Sequence, residues 1–319
     1  MNIVGKEIDR IAVVGTGLIG LGWSIVFARS GIETRACDPD QAQLDLLNSR
    51  LFGSLATMRK AGWIADPEIE ATVARIHMST DIAVALDGVG YVQECVPERL
   101  ELKQEVFTEL DQRLPAEVVI GSSTSAIPMS HIAQNTQHPE RCVVVHPTNP
   151  PHVAPLVEIV PGELTTPETV EFARRLMEAV GQCPIICRKE IPGFVLNRLQ
   201  FALEREAFYL AREGVASVAD IDRVVSEGLG LRWALLGPFL VEETNGADVR
   251  DDLTRFSLAI DGLMAQVCKP FDKLTSDDVD RVEAGVHELM GDLSHDDLLA
   301  YRDELVLTLR RLKAAWKPV

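Results

Sequence analysis

The sequence lacks the marks of a metal centre, a disulfide scaffold or a membrane span. Its six cysteines (Cys37, Cys95, Cys142, Cys183, Cys187 and Cys268) are scattered through apolar segments, with no Cys-x-x-Cys pair. Zinc sites need clustered ligands, so no metal is expected, and the thiols read as reduced core residues of a cytoplasmic protein. Long apolar runs are missing too: no stretch reaches the roughly 18 residues that indicate a membrane helix. The opening MNIVGKEIDRIAVVG has none of the basic, apolar and small-residue regions of a signal peptide. There is no internal repeat and no low-complexity segment. Positive charge is scarce, with 31 Lys and Arg against 48 Asp and Glu, a formal net charge of -17. Nucleic-acid binders show a basic patch or stripe, so that partner class is excluded. A small anion is not, because the local field of a cleft can oppose the net charge.

What is present is an ordinary globular composition, 46% hydrophobic and 25% charged over 319 residues. That length corresponds to about two domains. Short β-like runs come first: RIAVVG, ETRACD, GYVQECV, EVVIGSS, CVVVHP, PLVEIV and CPIICR. Amphipathic segments such as LELKQEVFTELDQRL and PETVEFARRLMEAVG lie between most of them, a pattern that predicts a mainly parallel sheet with helices on both faces. From IPGFVLNRLQFALEREAFYLAREG onward the periodicity is helical. Starts at SVADIDRV, TSDDVDRV and SHDDLLAY carry Ser, Thr or Asp caps. The expected organisation is an α/β dinucleotide-binding domain of Rossmann type over residues 1–190, followed by an all-helical domain over 191–319. Gly and Pro between Lys189 and Gly193 form the hinge.

IAVVGTGLIGLGW places Gly15, Gly17 and Gly20 as G-x-G-x-x-G after an apolar strand and at the start of an apolar helix, the context this motif requires. Gly15 permits the turn, Gly17 lets the backbone approach a pyrophosphate, and Gly20 lets helix and strand pack closely. The helix N-terminus at Leu18 and Ile19 then offers free N–H groups and a positive dipole end. Asp38 ends the next strand, eighteen positions after Gly20, where a carboxylate accepts from ribose hydroxyls and repels a 2′-phosphate. NAD is therefore expected rather than NADP. Arg35, three positions earlier, should point to the other face of the strand. FAD shares the fingerprint, but no second flavin signature is present. Glu94, Glu98 and Lys103 follow at the C-terminal end of another strand and in the helix after it. On spacing alone Glu98 is equally a helix-start acid or a cofactor contact.

Dehydrogenation of an alcohol needs a base for the hydroxyl proton, and histidine titrates in the right range. His146 emerges at the end of the strand CVVVHP, while Glu158 lies inside the apolar run PLVEIV. A buried carboxylate requires a partner, and one on the second imidazole nitrogen would fix the tautomer and stabilise the imidazolium. Ser122, Ser123, Thr124 and Ser125 form a hydroxyl-rich turn after another strand, so they too sit at the crevice, though such a turn is usually just a turn or a helix cap. Asn197, in FVLNRLQ, is a poor helix former on an apolar face and needs a partner.

Taken in order, VQECVPERLELK, GSSTSAIPM, HPTNPPHVAPLVEIV, EIPGFVLNRLQ and SEGLGLRWALLGPF make the chain resemble the 3-hydroxyacyl-CoA dehydrogenase family over practically its whole length, nearest the lambda-crystallin and L-gulonate 3-dehydrogenase branch. The resemblance implies His146 as general base and Glu158, twelve positions on, as its orienter. It implies Ser125 and Asn197 as contacts to the substrate oxygen, and Asp38, Glu98, Lys103 and Asn149 as cofactor contacts. It also implies NAD as cofactor, a small 3-hydroxy acid as substrate and a homodimer through the helical domain. Two departures bear on the substrate. The acyl-CoA enzymes follow their histidine with two aromatics, where this chain has Pro147 and Thr148. The loop GLGLRWALLGPF carries Arg232 and Trp233, the pattern of the gulonate and carnitine dehydrogenase branches. A guanidinium holds a carboxylate in a bidentate pair, so Arg232 is expected to bind a free acid in place of a thioester. The alternatives are a 3-hydroxybutyryl-CoA or L-carnitine dehydrogenase, or a crystallin-like structural or NAD-binding protein without turnover.

Overall fold

A computed structural model describes residues 1–244, 267 and 275–315; Cys268 lies outside them. The chain divides into two packed units. One is Met1–Asn197 together with the segment from Leu299 onward; the other is Arg198–Leu298.

A two-stranded hairpin, β1 (Asn2–Ile3) and β2 (Lys6–Glu7), opens the first unit. Its sheet contains β3 (Arg10–Val14), β4 (Glu33–Cys37), β5 (Ile76–Ser79), β6 (Tyr91–Glu94), β7 (Val119–Ser122), β8 (Cys142–Pro147), β9 (Leu156–Pro161) and β10 (Cys183–Ile186), in the order β10-β9-β8-β7-β6-β3-β4-β5. All seven predicted runs are strands. The hairpin and β5 were not foreseen; β5 reads IHMS, with too little apolar character to register. Every neighbouring pair is parallel except β8 and β9. The short connection between those two has no helix to carry the chain back across the sheet, so the strands must run antiparallel.

Strand alternation feeds two cores. Ile11, Val13, Val143, Val145, Val157 and Ile159 pack on one face with Trp23, Phe27, Tyr91 and Phe172. Ala12, Val14, Val144 and Val160 face the other side with Phe107, Leu110 and Phe194. His146 and Glu158 have the parity of this second face. A third cluster joins Leu21, Ile25 and Ala36 to Leu47, Leu51, Leu55 and Met58 of the helix Gln41–Lys60. Leu307 of the last helix, His295–Ala315, belongs to it as well.

Every regular element described in the second unit is a helix. Ser217, Thr275 and Ser294 accept from the backbone amides of Asp220, Asp278 and Asp297, so the three helix starts read from the sequence are capped as expected. One expectation is corrected: Val218–Glu243 is long and apolar enough, by length and composition, to cross a membrane. It is not a regular helix, however. Val224–Leu229 is wound as π-helix, and Gly237, at φ 75° and ψ 170°, breaks the run before Pro238.

Candidate active site

The strand order reverses at β3, with β4 on one side and β6 on the other, which opens a crevice beyond their carboxyl ends. The glycine loop sits there. Gly15, at φ 96°, would bring a Cβ to 2.6 Å from the Cys95 carbonyl, and Gly20 would bring one to 2.0 Å from the Gly15 oxygen. Gly17 differs: its backbone is extended and a Cβ would meet no atom within 4 Å. Protein packing therefore explains two of the glycines and not the third, which is the position meant to face a pyrophosphate. The helix Leu18–Arg29 has no side-chain cap and no acid in its first turn, so its leading amides, Leu18 and Ile19 among them, keep their capacity for an anion. These residues fit NAD. Gly15→Ala is expected to lower the melting temperature through about 1–3 kcal/mol of backbone strain. Gly17→Ala should melt like the wild type yet bind NAD about tenfold or more weakly, a loss of about 1.4 kcal/mol. Equal melting losses for the two variants would refute the cradle.

Asp38 lies beside this loop. Its Oδ2 accepts from the Thr16 amide at 3.0 Å and hydroxyl at 3.1 Å, and its Oδ1 from the Asp40 amide at 3.1 Å. Arg35 is tied elsewhere, to Glu33 at 3.0 Å and to the carbonyls of Val84 and Asp87 at 2.6 and 2.9 Å. It is not held ready for a 2′-phosphate.

Glu94, Glu98 and Lys103 form one network. The Lys103 ammonium is 1% exposed and lies 2.9 and 3.2 Å from the two Glu94 oxygens, 3.1 Å from the Val96 carbonyl and 3.4 Å from Glu98. Ser122 donates to Glu94 at 2.5 Å. Burial raises the Glu94 pKa above its ordinary value despite these partners. Glu98 Oε1 accepts from the Thr124 hydroxyl at 2.7 Å and from the amides of Ser125 and Ala126 at 2.9 and 3.1 Å. Burial opposes its ionisation, but these donors and Lys103 prevail, and its pKa is lowered. In this geometry Glu98 and Lys103 organise the loop that carries Ser125; the ammonium is not an open donor.

The same network sorts the four hydroxyls of that turn. Ser122 is bound to Glu94. Ser123 accepts from Trp23 Nε1 at 3.1 Å and from Gln93 at 2.8 Å. Thr124 is bound to Glu98, and only the Ser125 hydroxyl makes no hydrogen bond among the described residues. Asn197 donates through Nδ2 to the Ser125 carbonyl at 3.0 Å, so these two predicted residues are brought together.

His146 and Glu158 face each other in the β8–β9 register, with Nδ1 2.7 Å from Oε2. The other carboxylate oxygen accepts from the amides of Val195 and Leu196 at 2.8 and 2.9 Å, at the start of the helix Leu196–Arg212. Burial works against the Glu158 charge, but His146 and these amides outweigh it and leave the pKa below the ordinary carboxylate value. Phe194, fully buried at φ 47°, packs its ring 5.6 Å from the imidazole. The amides and Phe194 are not named by the sequence reading. The available signal was the chain break in IPGFVLN, which puts a helix start where the strand acid needs donors.

Asn149 is exposed in the β8–β9 loop. Arg232 lies in the second unit on the helix Gly230–Glu243. It is exposed and makes no ion pair among the described residues.

The family model of the 3-hydroxyacyl-CoA dehydrogenase NAD binding domain matches residues 10–191, and that of the C-terminal domain matches 193–281. The human lambda-crystallin homolog is 35% identical, covering 97% of each chain. L-carnitine dehydrogenase of Pseudomonas aeruginosa is 36% identical over 95% of this chain and 93% of that one. The crystal structure of 5-formyl-3-hydroxy-2-methylpyridine 4-carboxylic acid 5-dehydrogenase, an NAD+ dependent dismutase, superposes with a TM-score of 0.83 at 29% identity, covering 98% and 100% of the two chains.

Proposed function

The chain belongs to the 3-hydroxyacyl-CoA dehydrogenase family of NAD-dependent oxidoreductases, and from that premise we propose that it oxidises a free 3-hydroxy acid to the 3-keto acid, in the manner of an L-gulonate 3-dehydrogenase. The observation that carries the chemistry is the His146–Glu158 pair, a 2.7 Å contact between a strand-end imidazole and a carboxylate held ionised by two amides. His146 Nε2 takes the proton of the 3-hydroxyl, and Glu158 stabilises the imidazolium through Nδ1. Ser125 and Asn197 hold the substrate oxygen. Gly15, Gly17, Leu18, Ile19, Gly20, Asp38 and Asn149 hold NAD, with Glu98 and Lys103 supporting from beneath. NAD held by these residues would supply the acceptor for the C3 hydride.

The free acid is supported by Arg232, an exposed guanidinium with no ion pair among the described residues, and by two relatives whose names specify carboxylic acids. Trp233, 36% exposed beside it, keeps a second reading open, an acid bearing a quaternary ammonium held by a cation–π contact. The test is NADH formation with L-gulonate, L-carnitine, 3-hydroxybutyrate and 3-hydroxybutyryl-CoA. The free acids should be turned over faster. Arg232→Ala should cost them about 10- to 100-fold in kcat/KM, the range for a charged hydrogen-bonded contact. Faster turnover of the CoA ester, with no loss in the variant, would sink the proposal.

A second copy of the chain is the proposed partner. Leu231, Leu235, Phe239 and Leu240 are 57–84% exposed on the segment Gly230–Glu243, and exposed apolar side chains that cluster mark protein contacts. Sedimentation of the full chain as a 35.1 kDa monomer would remove this partner.

A further inference from the structure

Thr148 stands two residues beyond His146. Its Oγ1 is buried and has no hydrogen-bond partner among the described residues. The Thr148 amide donates to the Leu156 carbonyl at 2.9 Å, which carries the β8–β9 ladder one step past the Pro147–Val157 pair. Side chains alternate along a ladder, so Thr148 shares the face of His146 and Glu158. A buried hydroxyl without a partner is unfavourable by about 1–3 kcal/mol, and the described protein supplies nothing to relieve it. The Ser122, Ser123 and Thr124 hydroxyls are all satisfied by protein. The Ser125 hydroxyl, already placed at the substrate oxygen, also makes no hydrogen bond among the described residues.

We propose that Thr148 is a specificity-determining residue whose hydroxyl binds a second hydroxyl of the substrate, on a carbon next to the one oxidised, so that the substrate class is a polyhydroxy acid. This rests on the assignment of His146 as the base that holds the 3-hydroxyl. Two residues of strand span about 6.6–6.8 Å. Two neighbouring hydroxyls of a polyol, each at an ordinary hydrogen-bond length of about 2.8 Å from its protein partner, bridge that interval. A saturated acyl chain offers nothing to Thr148 and would leave its hydroxyl buried and unpaired.

The experiment compares L-gulonate with 3-hydroxybutyrate, which lacks the flanking hydroxyls, in the wild type, Thr148→Val and Thr148→Ser. Valine keeps the shape and removes the hydroxyl. The expected result is a fall of about 10- to 100-fold in the gulonate-to-hydroxybutyrate ratio of kcat/KM for Thr148→Val, with the ratio kept within a few-fold by Thr148→Ser. The melting temperature of Thr148→Val without substrate should not fall, since the hydroxyl removed has no partner among the described residues. An unchanged ratio, an equal loss on both acids with a lowered melting temperature, or weakened NAD binding in place of the ratio change would each overturn the proposal. Should the CoA ester prove the better substrate, the free-acid proposal fails by itself. Thr148 is then judged by the inhibition constants of the two free acids, and an equal response of both to Thr148→Val overturns it.

Discussion

His146→Gln should reduce kcat by at least about 10²-fold, the range for lost acid–base catalysis, with NAD affinity close to that of the wild type. The two effects separate because the histidine and the nucleotide loop are built on different parts of the sheet. His146 ends β8, while the glycine loop follows β3, and β6 and β7 stand between them. Removing the imidazole leaves the turn, its tight packing on Cys95 and the uncapped helix start untouched. Glu158 also keeps its two amide donors from Val195 and Leu196, and a glutamine amide can replace the lost donor at Oε2. The variant should therefore fold normally and fail in chemistry. Steady-state kinetics with an NAD titration decide the matter, and near-normal turnover would remove His146 as the base.

The residues that announce themselves in the sequence are those whose local pattern is already abnormal. Glu158 interrupts an apolar run, so its need for a partner is visible before any fold is known, and the β8–β9 register supplies His146. Arg35 follows from alternation alone: it shares a face with Glu33 and pairs with it at 3.0 Å. β3, β7 and β8 were legible because they are buried on both faces and read as nearly unbroken apolar runs. β5 was not, since IHMS lies near the sheet edge with a partly exposed pattern. What no pattern encodes is the choice among several partners. Lys103 and Glu98 belong by resemblance to the cofactor, but the fold turns Lys103 toward Glu94 and Glu98 toward the amides of Ser125 and Ala126. The glutamates at 94 and 98 look alike in the sequence. Position decides which becomes a fully buried ion-pair partner and which a clamp on a loop. Thr148 shows the same limit from the other side, since an unpaired hydroxyl is defined by surroundings that only the folded chain provides.

Lys103→Met should destabilise the protein by about 3–5 kcal/mol, the range for removing one member of a buried ion pair. The ammonium lies against Glu94, which is 0% exposed, so the variant leaves a carboxylate in the core with only the Ser122 hydroxyl and the Val96 amide as donors. The pH dependence has a definite sign. Burial already raises the Glu94 pKa in the folded state, and loss of the cation raises it further. A carboxyl whose folded pKa lies above its unfolded value binds more protons when folded, so stability falls as pH rises between the two values. The deficit of Lys103→Met should thus be largest near neutral pH and shrink as the solution is acidified toward the unfolded carboxyl pKa of about 4.3. Glu94→Gln in the same chain removes the unpaired charge and should restore part of the loss. Urea melts of the single and double variants at two pH values test both statements. Activity should fall with stability but by a separate route, because the Glu98 carboxylate that loses this cation also holds the amides around Ser125. A Lys103→Met protein with wild-type stability at neutral pH would mean that Glu94 stays protonated in the native protein, and that the two side chains form no ion pair.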